Sequence, residues 1–124
     1  MYEKNLQKIK EISELSEEEI CGFWVKGKNA IIECKNVASD KKNNFEISSE
    51  EYIETFNKKQ ILLIFHSHPE SSEKFSKQDI GLSEEISKPI LVYSKESKKF
   101  NIFIPEQLKK NKILINIEKS VVNY

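Results

Sequence analysis

The chain has 124 residues, 38% of them hydrophobic, with 20 basic side chains balanced by 20 acidic ones, which suits one domain with a modest core. Every basic residue is lysine, so there is no guanidinium fork for phosphates or guanine edges, and zero net charge leaves no electrostatic footprint for nucleic acid. No secretory leader and no apolar stretch of about 18 residues occurs, which predicts a soluble intracellular protein with no membrane partner.

Leu6, Ile9, Ile12 and Leu15 recur at helical spacing and predict an amphipathic helix over 3–15 whose apolar stripe faces the core. Ser16-Glu17-Glu18-Glu19 then reads as a capping box for a helix of about one turn, cut short by Gly22 and the strand-like Phe23-Trp24-Val25. Residues 22–26 and 30–35, separated by Gly27-Lys28-Asn29, read as a hairpin. Val37 and Phe45-Glu46-Ile47 flank a polar loop from Ser39 to Asn44. Ser48 or Ser49 caps a second helix that carries Tyr52, Ile53 and Phe56 to about Lys58. Ile61-Leu62-Leu63-Ile64-Phe65 is a continuous apolar run of the kind that forms a strand buried on both faces. A helix begins at Ser76, with Ile80, Leu82 and Ile86 on its buried side. A strand from Ile90 to Tyr93, a turn from Lys95 to Lys98 and a strand from Phe100 to Ile104 follow. Ile113, Ile115 and Ile117 alternate like a last strand. These elements predict an α/β fold, a single domain over 1–124 with a mixed central sheet flanked by helices.

The chemistry concentrates at the end of the buried strand. His66-Ser67-His68-Pro69 puts two imidazoles two residues apart, on one side of an extended backbone, with Cα atoms roughly 7 Å apart. Pro69 cannot continue the ladder, so the pair sits at a rim of the sheet. Seven residues separate His68 from Ser76-Lys77-Gln78-Asp79, and a helix starting there projects Ser76 and Asp79 back toward the histidines. Two histidines and one aspartate make three ligands for one zinc ion, with a fourth position left open, the pattern of a catalytic site. The competing reading of Ser76 and Asp79 is a capping pair, and that of His66 and His68 a surface pair. A general base is also required, and spacing alone does not choose among the many acidic residues, Glu17, Glu18 and Glu19 included.

Glu19-Ile20-Cys21-Gly22 before a strand, His66-Ser67-His68-Pro69, and Ser76-x-x-Asp79 together resemble the JAMM (MPN-type) zinc metallopeptidases, over about residues 19–103. The resemblance implies a cytidine-deaminase-like α/β fold with zinc held by His66, His68 and Asp79. It implies Glu19 as the general acid/base and Ser76 as a group that helps hold the oxyanion. It further implies, as substrate, an extended C-terminal tail on a ubiquitin-like or sulfur-carrier protein. Ten residues lie between Asp79 and Ile90, too few for the long insertion of some eukaryotic relatives, and the Glu-x-Cys-Gly form looks most like bacterial and phage members. Two rival readings stay open: a phage tail-assembly peptidase acting in virion assembly or cell-wall entry, virion-associated rather than cytoplasmic, and a non-catalytic MPN scaffold. Cys21 and Cys34 are too far apart for the Cys-x-x-Cys pair of a nucleobase deaminase. Buried free thiols are expected of them, with a disulfide between strand neighbours as the alternative.

Overall fold

The apolar strand into the histidines is the middle of the fold, as its composition demands. In a computed structural model, which describes residues 2–124, β3 (Ile61–His68) is buried along its whole length. β1 (Cys21–Val25) lies antiparallel on one side of it, followed by β2 (Ile31–Cys34). On the other side come β4 (Ile90–Ser94), parallel to β3, and β5 (Lys99–Phe103), antiparallel to β4. The resulting mixed order is β2-β1-β3-β4-β5. The hairpin turn between β1 and β2 uses Gly27 at φ 101° and Asn29 at φ 51°, the residue types that enter the left-handed region at least cost.

Helices cover both faces. α1 (Glu3–Glu14) and α4 (Lys112–Asn123) bury Leu6, Ile9, Leu114, Ile117 and Val121 against Trp24, Leu63, Phe65 and Leu91. α2 (Ser49–Lys58) and α3 (Lys77–Ile86) lie over the other face, where Tyr52, Leu82 and Ile86 pack on Phe23, Ile64 and Val92. Ser48 caps α2, accepting from the Glu51 amide at 3.2 Å. Among the described residues no helix is long and apolar enough to cross a membrane.

Two expectations are corrected. Residues 113–117 are helical, not a strand: Leu114, Ile117 and Val121 are the buried set, spaced by three and four, and Asn111 caps the helix by accepting from the Leu114 amide at 3.1 Å. The period-2 alternation of Ile113, Ile115 and Ile117 was incidental to a helix rich in isoleucine. Ser16 starts no helix; its hydroxyl closes a local turn with the Glu18 amide and carbonyl. α3 also differs in detail, since the fully buried residues on it are Asp79 and Ser83, with Ile80, Leu82 and Ile86 half-buried.

Gly22 is set by space. A Cβ there would lie 2.0 Å from the Ile32 carbonyl oxygen and 2.6 Å from the Phe65 ring. Gly22→Ala is therefore expected to destabilise the fold by more than about 2 kcal/mol, because a backbone atom and a buried ring must both move. A thermal unfolding midpoint equal to wild type would contradict this packing.

Cys21 and Cys34 are cross-strand partners in the β1–β2 register, both buried and both free. Burial pushes the Cys21 thiol up to about 12.

Candidate metal centre

The end of β3 delivers both histidines to one face, their ring centroids 5.0 Å apart. Ser67 between them ties down the neighbouring chain: its hydroxyl accepts from the Ile20 amide at 2.9 Å, and its own amide donates to the Ile20 carbonyl at 3.0 Å. This pairing brings the residue before Ile20 into the site. Glu19 is buried while Glu17 and Glu18 are exposed, and Glu19 Oε1 lies 3.0 Å from His66 Nδ1.

Asp79 arrives from the first turn of α3. The Ser76 hydroxyl accepts from the Asp79 amide at 3.1 Å, and Asp79 Oδ2 accepts from the Ser76 amide at 2.9 Å, a complete capping box. The capping reading of this pair holds, and the cap also aims the Asp79 carboxylate at the histidines. Asp79 Oδ1 lies 2.9 Å from His66 Nε2, and Oδ2 lies 3.7 Å from His68 Nε2. Ser76 itself is exposed on the rim of the site. Its oxygen is taken by the cap, which leaves the hydroxyl proton free to donate.

The tautomers follow from the partners. His68 Nδ1 lies 2.6 Å from the Ser72 carbonyl, which can only accept, so Nδ1 carries the proton and the neutral ring presents a lone pair at Nε2. His66 Nδ1 faces the Glu19 carboxyl at 3.0 Å. His66 Nε2 is close to Asp79 but off the line of a hydrogen bond. It is the one buried side-chain nitrogen or oxygen left without a hydrogen-bond partner among the described residues.

An orphaned, buried imidazole nitrogen is costly in a folded protein unless something else binds it. The groups around it could hold a metal ion. One ligand atom each from Glu19, His66 and His68 lies within 4.8 Å of the others, all three residues being buried, and the Asp79 carboxylate faces both Nε2 atoms. Imidazole nitrogens with carboxylate oxygens suit a divalent transition metal, and an Nδ1–H held by a carbonyl or carboxyl is the usual outer support of a ligating histidine. The electrostatics agree. Burial alone would push the His66 imidazolium down, yet Asp79 and Glu19 outweigh it and raise the pKa to about 9. Burial would likewise raise the Asp79 carboxyl, but His66, His68 and the Ser76 amide hold it well below the usual carboxylate range. The pocket favours positive charge.

The site opens into a groove of about 700 Å³. One wall is the loop from Ala38 to Glu46 and the other the segment from Glu70 to Asp79. Phe45, on the first wall, stacks on the His66 ring at 4.4 Å between centroids. Lys42 and Glu70 pair across the groove at 3.3 Å, both exposed, a contact worth little and easily opened.

The structure thus brings Glu19, His66, His68 and Asp79 together, with Ser76 at their edge. Ser72 and Phe45 went unread in the sequence, for a loop carbonyl carries no residue signature and an aromatic beside a polar loop reads as ordinary core. A comparison with curated proteins gives no match. A family model described as prokaryotic homologs of the JAB domain matches residues 5–105, a span that takes in Glu19, His66, His68, Ser76 and Asp79, and the chain belongs to that family.

Proposed function

We propose that the protein is a zinc-dependent metallopeptidase that hydrolyses an amide bond in the extended C-terminal tail of a ubiquitin-like or sulfur-carrier protein. The observation that carries this reading is the convergence of His66 Nε2, His68 Nε2 and the Asp79 carboxylate, with both Nδ1 atoms already engaged by Glu19 and Ser72. Those three residues are the ligands in this reading, and the other buried carboxyl, Glu19, is left for proton transfer. When bound, zinc supplies Lewis acidity toward a carbonyl and acidifies water.

The protein's own groups do the rest. Glu19 has one oxygen on His66 Nδ1 and uses the other to take a proton from the attacking water and pass it to the departing nitrogen. Ser76 donates its hydroxyl proton toward the carbonyl oxygen as negative charge develops there. Ser67 and Ile20 hold Glu19 in register with His66. Phe45, stacked on that ring, keeps bulk water from one face of it.

The groove supports the substrate class. Its walls are two short polar segments with no large insertion, which admits an extended chain and offers little surface for reading two folded partners at once. An extended tail has free main-chain groups to pair with the walls. Incubation of the zinc-loaded protein with a ubiquitin-like protein bearing a C-terminal extension, with peptidoglycan fragments and with an unrelated unfolded peptide, read by mass spectrometry, tests this. Zinc-dependent cleavage after the terminal glycine of the ubiquitin-like protein is the expected result. Cleavage of peptidoglycan alone would favour a role in cell-wall entry, and no cleavage with zinc bound would favour a scaffold.

A further inference from the structure

Glu19 lies outside every helix and strand, one residue short of Ile20 and two short of β1, so neither of its own backbone groups joins the sheet ladder. A side chain holds its carbonyl. Asn36 Nδ2 donates to the Glu19 carbonyl at 2.9 Å and to the Asn44 carbonyl at 2.9 Å, with the Lys41 carbonyl shared at 3.4 Å. Asn36 Oδ1 accepts from the Ala38 amide at 3.0 Å and the Glu46 amide at 3.2 Å. Both N–H groups and both lone pairs of the amide are used, and only this orientation of the amide fits, since three partners are carbonyls and two are N–H groups.

The Glu19 amide is held by the same loop, donating to the Lys41 carbonyl at 2.8 Å, and the Val37 amide to the Glu46 carbonyl at 2.9 Å closes that loop upon itself. Both backbone groups of Glu19 are therefore fixed by the loop that Asn36 organises. The loop also carries Phe45, the ring stacked on His66.

We infer that Asn36 is a positioning residue for the proposed reaction: it clamps the Glu19 main chain to the 37–46 loop and so sets where the Glu19 carboxylate stands relative to His66. This rests on the reading of Glu19 as the acid/base. No regular element would restore the Glu19 carbonyl's partner once the Asn36 donors are gone, and a misplacement of about 1 Å at a catalytic group can cost on the order of 10²-fold in rate.

Asn36→Asp separates the clamp from the loop. It keeps an acceptor for Ala38 and Glu46 but removes both donors and sets a carboxylate oxygen against three carbonyls. Asn36→Ala removes all five contacts and serves as the second variant. Hydrogen exchange of the zinc-loaded proteins, followed by NMR, should show the Glu19 amide exchanging at least about tenfold faster in Asn36→Asp, with Phe23 and Leu63 in β1 and β3 unchanged and zinc content intact. With the tail-extended ubiquitin-like protein as substrate, kcat should fall roughly 10- to 100-fold while KM stays within about twofold. The same change should cost nothing more in a Glu19→Gln background, because a residue acting only through Glu19 is not additive with its loss.

Unchanged Glu19 exchange overturns the clamp. So does a kcat loss that multiplies with Glu19→Gln, or a general rise in exchange across β1 and β3 in both variants, since Asn36 would then hold the domain rather than one residue. If the wild type cleaves none of the substrates, the peptidase reading falls, and the exchange measurement alone decides the clamp.

Discussion

Glu19→Gln is expected to retain zinc and the wild-type fold and to lose activity on the tail-extended ubiquitin-like protein by a factor of about 10²–10⁴, the usual worth of general acid/base catalysis. The substitution is nearly isosteric, and the amide oxygen can still accept from His66 Nδ1, so the contact at 3.0 Å can persist. What it removes is the capacity to take up and release a proton. Glu18→Gln, one residue away on the exposed side of the turn, is expected to leave activity near wild type. Steady-state kinetics with metal analysis of the same samples checks both. Equal effects of the two variants, or a larger one from Glu18→Gln, would place the acid/base elsewhere.

Asp79→Asn should act the other way, losing zinc first and activity as a consequence. Its Oδ2 partner, the Ser76 amide, can be satisfied equally by an asparagine oxygen, so the N-terminal cap of α3 survives in outline. The charge facing His66 Nε2 and His68 Nε2 does not survive. Loss of a direct ligand should weaken zinc by more than the roughly 10- to 100-fold typical of outer partners. The contrast between the variants bears on the one ambiguity of the site, where two carboxyl groups face His66 from its two nitrogens. If Glu19→Gln released the metal and Asp79→Asn kept it, their roles would be exchanged. Competitive titration with a chelator of known zinc affinity measures the difference directly.

Much of the placement of these residues is legible in the sequence, for physical reasons that apply residue by residue. The Ile61–Phe65 run, short, apolar and rich in branched residues, pointed to an inner strand, which β3 is. Extended backbone then placed His66 and His68 on one face, and Pro69 made that end a rim. The Ser76-x-x-Asp79 spacing announced a helix start, and the capping box that forms there also turns Asp79 toward the histidines. The last helix misled because Ile113, Ile115 and Ile117 satisfy a period of 2 within five residues, while the deciding residues, Leu114 and Val121, lie seven apart. Nor could the outer support of the site be read. Asn36 acts on carbonyls and amides up to 17 positions away in the chain, and the Ser72 carbonyl on His68 depends on the path of a loop rather than on its side chains. Partners of that sort follow from tertiary placement, to which local pattern is blind.

Zinc stoichiometry tests most directly whether the buried histidines and Asp79 form a zinc site. Protein purified without chelators, or reconstituted with zinc and desalted, is expected to carry one zinc per chain by elemental analysis, and His68→Ala prepared in parallel is expected to carry little or none. A wild-type protein that holds no zinc after reconstitution, or a His68→Ala variant that holds a full equivalent, would contradict the account.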